Sequence, residues 1–363
     1  MKTIQFPENE SIKPIPKGSI VKLGIDPTAE SLHLGHMIPL LLCKKLKEQG
    51  HHIKIVLGTF TAQIGDPTGK EKTRPLIARE DTIANANNII VFIQKILGDV
   101  EILFNHEWLE DFPTHRLLNL LGRFTWAQLS ARDNFQLRLE KNESISISEL
   151  VMPVLQGLDS VHVNAAIEIG GIDQLFNFKI TREVQSIFGQ KSEICLMTNI
   201  INGTDGRKMS KSLGNCIFVN DSPINVFGKT MRISDETMQE WWDIFMNEEL
   251  DKTANPMQNK KRLAFTITFL LHSFEDAIAA RVHFEQVIQN KNIPNESNII
   301  LMNSLTLLDC IMNARGIGKG EAKKLINSNA ISIDGNKVTK DQELKPEQII
   351  KIGKRQFIKI QIS

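Results

Sequence analysis

Apolar residues along this chain fall in short runs bounded by turn residues, and longer stretches with apolar positions at helical spacing lie between them. The run SIVKLGID (19–26) reads as a β-strand, and after Pro27 a helical pattern extends from Leu32 to Gln49. IKIVLGT (53–59) and Glu101 to Asn105 read as two further strands with a helix through 80–97 between them. VHVNAAIEIGG (161–171) and SEICLMT (192–198) add two more, separated by a helix from Phe176 to Phe188. Strands alternating with helices of this length predict parallel βαβ units and a doubly wound α/β sheet. A mostly helical insertion, about 106–160, interrupts that sheet. Beyond about residue 220 the strand pattern stops, and MQEWWDIF and KKRLAFTITFLLHSFEDAIAARVHFEQVIQ read as helices. Asn292 to Asn298, with Pro294, reads as a linker. Residues 300–363 begin helix-rich and end in the short strands ISIDG, KVTKD and IIKIGKRQFIKIQI. The expected organisation is an α/β domain over 1–220, a helical domain over 221–295 and a small α+β module over 300–363.

Composition narrows the function classes. With 43 Lys+Arg against 42 Asp+Glu in 363 residues, the chain is nearly neutral, so any site for a polyanion must be local. Apolar runs fall well short of the ~18 residues of a membrane span. The opening segment MKTIQFPENESIKPIPKG has neither a signal-peptide apolar core nor transit-peptide character, which predicts a cytoplasmic protein that contacts no membrane. Cys43, Cys195, Cys216 and Cys310 lie far apart, which indicates neither a disulfide framework nor a zinc site, and no metal ligands are expected in the chain itself. A further oddity is the lack of any tyrosine beside 18 phenylalanines.

Two short motifs carry chemistry. His33-Leu34-Gly35-His36 sits where the first strand and turn feed a helix. Helix N-termini present free N–H groups and a positive dipole end, which suits a polyphosphate. His33 and His36 share one helical face, and Gly35 permits close approach of a flat base. Lys208-Met209-Ser210-Lys211-Ser212 lies in DGRKMSKSLGN, between Gly206 and Gly214. Two ammonium groups on such a loop can close on a triphosphate and neutralise charge developing on a leaving pyrophosphate. Either motif alone has a plain reading, as surface histidines or a solvated basic loop.

Together, in this order on an interrupted α/β sheet, they resemble the HIGH and KMSKS motifs of class I aminoacyl-tRNA synthetases. LGIDPTAESLHLGH, IGDPTGK, LQGLDSV and IGGIDQLFN are similar to segments of the bacterial tyrosyl-tRNA synthetases. The resemblance covers essentially the whole chain, and it implies a Rossmann-like catalytic domain with a helical insertion, a helical anticodon-side domain and an S4-like RNA-binding domain. It also implies adenylation of L-tyrosine by ATP with Mg2+, transfer to tRNA(Tyr), and a homodimer formed through the insertion, where Phe124, Trp126 and Phe135 would form either an interface core or part of the chain's own core. By the same resemblance Thr28, His33 and His36 contact ATP at the transferring phosphate, and Lys208 and Lys211 hold the pyrophosphate. Gly35, Gly171, Asp173, Met209 and Ser210 complete the nucleotide site, with Asp173 on the ribose. Asp26, Asp66, Gln156 and Gln174 surround the amino acid, and Asp159 accepts its phenol.

The chain departs from the family pattern at Met152, where a tyrosine assists the substrate amino group. It has Lys22 where one branch has tyrosine and another lysine. An alternative reading is therefore a synthetase specific for a tyrosine analogue or another amino acid.

Overall fold

A computed structural model describes residues 3–7, 16–64, 77–246, 248–251, 253, 255–289, 300–302, 306–328, 330–346, 348–353 and 356–360. Two compact units, Met1–Leu271 and His272–Ser363, divide the chain. The first holds a six-stranded sheet made of β1 (Thr3–Phe6), β2 (Ile20–Ile25), β3 (His52–Leu57), β4 (Glu101–Phe104), β5 (Ile167–Gly171) and β6 (Ile194–Thr198). Their order is β1-β6-β5-β2-β3-β4, parallel except for the edge strand β1, which runs antiparallel to β6. The sheet winds outward in both directions from the β2–β5 pair, and in doubly wound folds that switch opens a crevice at the carboxyl ends of the strands.

Helices Leu34–Glu48 and Arg79–Leu97 follow β2 and β3, close to the predicted spans, because both carry apolar residues at three- and four-residue spacing. Helices of the insertion occupy the chain between β4 and β5, and the last of them, Ile147–Val163, overruns the expected strand at 161–171. Only Ile167–Gly171 is strand. Val161 and Val163 alternate like strand residues, but Asn164, at φ 53°, ends the helix in the left-handed conformation. Strand β1 was not foreseen. Of the three insertion aromatics, Phe124 and Phe135 take the intramolecular alternative, buried in one apolar cluster, and Trp126 is open to solvent. The first two therefore cannot face a partner subunit.

Helices Pro223–Thr230, Asp235–Phe245 and Pro256–Leu271 share one apolar core with the sheet, with Trp241, Trp242 and Leu263 fully enclosed. The helix Phe274–His283 belongs to the second unit. That unit also contains β7 (Ile300–Met302), helices Leu307–Arg315 and Lys319–Asn327, and β8 (Ile331–Ile333), β9 (Asn336–Lys337), β10 (Ile349–Ile352) and β11 (Gln356–Ile360). They form a second sheet, β7-β11-β10-β8-β9. Asp334 and Gly335, both at positive φ, turn β8 into β9, and of the expected strand KVTKD only Lys337 belongs to β9. The expected linker 292–298 and Asp66 with its IGDPTGK segment lie outside the described residues, apart from Ile64.

Candidate active site

A cavity of about 390 Å3 opens at the carboxyl ends of β2 and β5. Asp26, Thr28, His33, Gly35, His36, Gln156, Asp159, Gly171, Asp173, Gln174, Lys208 and Met209 all line it. The sequence had named each of them. Ser210 and Lys211 are not on its wall, although Lys211 reaches the histidine segment by donating to the Ser31 carbonyl at 2.8 Å.

His33 is the N-cap of the helix Leu34–Glu48, and its Nδ1 accepts from the Gly35 N–H at 3.2 Å. In return His36 Nδ1 lies 3.2 Å from the His33 N–H, closing a reciprocal cap with the rings 4.0 Å apart. With its Nδ1 accepting, His33 carries its ring proton on Nε2 as a donor for a bound group. Burial, then His36 and Lys211, pushes the His33 pKa down to about 2; burial and Lys211 bring His36 down to about 4. Both imidazoles are neutral hydrogen-bond donors at neutral pH. A Cβ on Gly35 would sit 3.0 Å from His33 Cε1, so glycine keeps the cap closed.

Long-range backbone bonds join the two motifs. Leu34 N–H donates to the Ile217 carbonyl at 2.9 Å and Val219 N–H to Leu32 at 3.0 Å, which anchors the segment after the lysine loop to the histidine segment. Asn215 organises the loop: its amide donates to Asp205 at 2.7 Å and to the Lys208 carbonyl at 3.1 Å, and its oxygen accepts from Ser210 N–H at 2.8 Å. Lys208 meets Asp173 at 3.1 Å in a half-exposed pair. A Cβ on Gly171 would lie 2.5 Å from Asp173 Oδ1, so the carboxylate has its place only beside glycine.

The buried wall is more polar than the sequence suggested. Asp159 accepts from Trp108 Nε1 at 2.9 Å and Asn105 Nδ2 at 3.2 Å. Burial raises its pKa to about 6, against the opposing pull of Lys22 and those two donors. Asp26 accepts from Thr61 at 2.7 Å. Gln156 is held at both ends of its amide: Nε2 donates to Glu168 at 3.0 Å and Oε1 accepts from Asn177 at 3.0 Å. Asn177 also donates to Gln174 at 2.7 Å. Beneath them Lys22 and Glu168 form an ion pair of 2.8 Å with both side chains almost fully buried. Burial opposes the Lys22 ammonium, but Glu168, Glu193 and Asp159 outweigh it and hold its pKa above the ordinary lysine value. Burial likewise opposes the Glu168 carboxylate, and Lys22 overcomes it to hold the pKa below the usual range.

Lys22, Glu168, Asn105, Trp108, Thr61 and Asn177 were not assigned from sequence as pocket residues. A charged residue inside each of the runs IVKLGI and IEIGG was the available signal, because a strand covered on both faces excludes unpaired charge.

Residues 16–289 match the family model of class I tRNA synthetases (W and Y). The tyrosine–tRNA ligase of Aquifex aeolicus is 36% identical over 97% of this chain and 94% of its own length. The ligase of Thermotoga maritima is 36% identical over 95% and 91%. The chain belongs to the tyrosine–tRNA ligase family of class I synthetases. In fold, the first family structure to compare is a C-terminally truncated mitochondrial tyrosyl-tRNA synthetase from Aspergillus nidulans, with TM-score 0.61, 20% identity, and coverage of 75% of this chain and 86% of that one. A tyrosyl-tRNA synthetase complexed with L-tyrosine from Archaeoglobus fulgidus gives 0.59 at 20% identity, covering 72% and 90%. Like other members of the family, this chain is an ATP-dependent aminoacyl-tRNA synthetase.

Proposed function

We propose that the chain joins L-tyrosine to ATP, releasing pyrophosphate, and passes the tyrosyl group from the adenylate to tRNA(Tyr). The supporting observation is that one cavity contains both the neutral imidazoles with Lys208 and the buried Asp159, held by two donors. The tyrosine carboxylate attacks the α-phosphate and the bond to pyrophosphate breaks. No protein nucleophile is needed, so the contribution is positioning and charge stabilisation. His33 and His36 donate to the transferring phosphate, beside Thr28. Lys208 and Lys211 exchange their present partners, Asp173 and Ser31, for the departing pyrophosphate, which frees Asp173 for the ribose. Gly35, Gly171, Met209 and Ser210 bound the nucleotide. Gln156, Gln174, Asp26 and Asp66 surround the amino acid, and Asp159 accepts its phenol. Magnesium would accompany the nucleotide as counterion to its phosphates.

The second unit supplies the tRNA contact. Lys319, Lys323 and Lys324 are exposed there, while the chain as a whole is nearly neutral, and the module over 300–363 acts as the S4-like RNA-binding domain. The domain limits 1–220, 221–295 and 300–363 remain our division by role. A homodimer would use the insertion, where Leu118, Trp126, Leu137 and Ile147 are each exposed. The protein works in the cytoplasm, and no helix among the described residues is long and apolar enough to cross a membrane.

Met152, a buried thioether on the cavity wall, favours a second reading in which a tyrosine analogue is the substrate. ATP–pyrophosphate exchange with each amino acid separates the two. Tyrosine as the most efficient substrate is the expected outcome, and faster exchange with phenylalanine or an analogue would reject it.

A further inference from the structure

The register of the parallel sheet sets Cys195 beside Glu168 and Glu168 beside Lys22, so all three point to one face. Glu193, the residue just before β6, is wholly buried, and its carboxyl meets that of Glu168. Three ionisable groups, Glu193, Glu168 and Lys22, thus lie side by side, with two carboxyls and one ammonium. The Lys22 ammonium engages Glu168, the Ser160 hydroxyl at 2.6 Å and the Gln156 carbonyl at 3.2 Å, one partner for each N–H. It has no hydrogen left for Glu193. Glu168 Oε1 takes both Lys22 and Gln156, while its Oε2 has a long contact of 3.4 Å from the Ser160 hydroxyl. Neither carboxyl oxygen of Glu193 receives a well-formed hydrogen bond among the described residues.

A second buried carboxylate with no cation of its own, whose nearby donor, the Ser160 hydroxyl, is shared with Glu168, costs far more than the same group protonated. We infer that Glu193 is a neutral carboxylic acid whose proton is donated to Glu168, and that this shared proton locks the carboxylate holding Gln156, making Glu193 a positioning residue for the amino-acid substrate. The balance is simple: one proton between two carboxyls, one negative charge on the pair, and one positive charge on Lys22. Burial and the adjacent Glu168 both press the Glu193 pKa well above the usual carboxylate range, in accord with the geometry. The other titratable groups facing the pair are Cys195 on β6, Asp159 on the covering helix and Arg182, which reaches the Glu193 backbone carbonyl. The effect on substrate rests on Gln156 belonging to the tyrosine pocket, but the location of the proton does not.

The test pairs infrared spectroscopy with kinetics on the full chain. At about pH 8 Asp159, with a pKa of about 6, is ionised. Wild type should then show a protonated-carboxyl carbonyl band that Glu193→Gln abolishes. Glutamine keeps a neutral donor toward Glu168, so Glu193→Gln should leave the tyrosine KM within about twofold, whereas Glu193→Ala raises it about tenfold with ATP KM unchanged, the scale of one lost positioning bond. Absence of the band overturns the shared proton. A band that disappears while Glu193→Ala leaves KM unchanged, or Glu193→Gln raising KM as much as alanine, overturns the positioning role. If Glu193→Ala does not fold, Glu193→Met, which retains the volume and lacks the donor, takes its place.

Discussion

Replacing Lys22 by methionine tests the buried charge network most directly. Methionine fills much of the same volume but leaves Glu168 beside Glu193 with no cation, and removing one partner of a buried pair costs about 3–5 kcal/mol. Protonation of Glu168 limits that cost, and the limit gives the variant a pH signature. In wild type Glu168 is held below its ordinary pKa, so it stays ionised in both folded and unfolded chains at neutral pH and adds no slope there. Glu193 is held above it, so its stabilisation is already being lost as pH rises past the unfolded value. In the variant Glu168 joins Glu193: its folded pKa moves above the unfolded one, and its contribution too is lost as pH rises. One extra proton bound in the folded state corresponds to about 1.4 kcal/mol per pH unit. The difference between variant and wild type should therefore grow by roughly 2–3 kcal/mol between about pH 6 and pH 8. Urea unfolding followed by the fluorescence of buried Trp241 and Trp242 reads it out. Adding Glu168→Gln to Lys22→Met should recover most of the loss, since no uncompensated carboxylate remains. A destabilisation below about 1 kcal/mol, or one independent of pH, would refute the reasoning, because an exposed or dispensable pair behaves that way.

Four further outcomes are expected. His33→Ala and Lys211→Ala should slow adenylate formation by ~10²–10³ with little change in tyrosine KM, and a wild-type pyrophosphate-exchange rate would remove these residues from the phosphate site. Asp159, raised to about 6, should make kcat/KM for tyrosine fall as pH drops through that value, because the protonated carboxyl no longer accepts the phenol; a profile flat down to pH 5 contradicts it. Deleting residues 300–363 should leave pyrophosphate exchange intact and cut tRNA charging at least about tenfold, checked by comparing both assays on one preparation. Trp126→Lys, which places charge at an exposed aromatic of the insertion, should shift sedimentation toward monomer at micromolar concentration, and an unchanged profile would move the interface elsewhere.

Local chemistry accounts for what could be read from the chain alone. The helices Leu34–Glu48 and Arg79–Leu97 announce themselves by periodicity, and His33 and His36 form their cap within one turn, so their meeting requires no distant partner. Likewise, the two lysines of the second motif share one short loop. Tertiary structure decided the partners that lie far apart in sequence. Lys22 and Glu168 look like single charges in apolar strands until the register sets them side by side and a helix covers them. Asn105 and Trp108 come from the end of β4 and the short helix His106–Leu109 after it, yet their hydrogen bonds to Asp159 reach across 54 and 51 residues of sequence, past the helices of the insertion. Val161 and Val163 alternate as a strand would, but the helix that began at Ile147 buries Val163 before Asn164 stops it. Periodicity depends on neighbours a few residues away, whereas burial of charge is stable only once distant segments supply its counter-charge, and that pairing exists only in the folded chain.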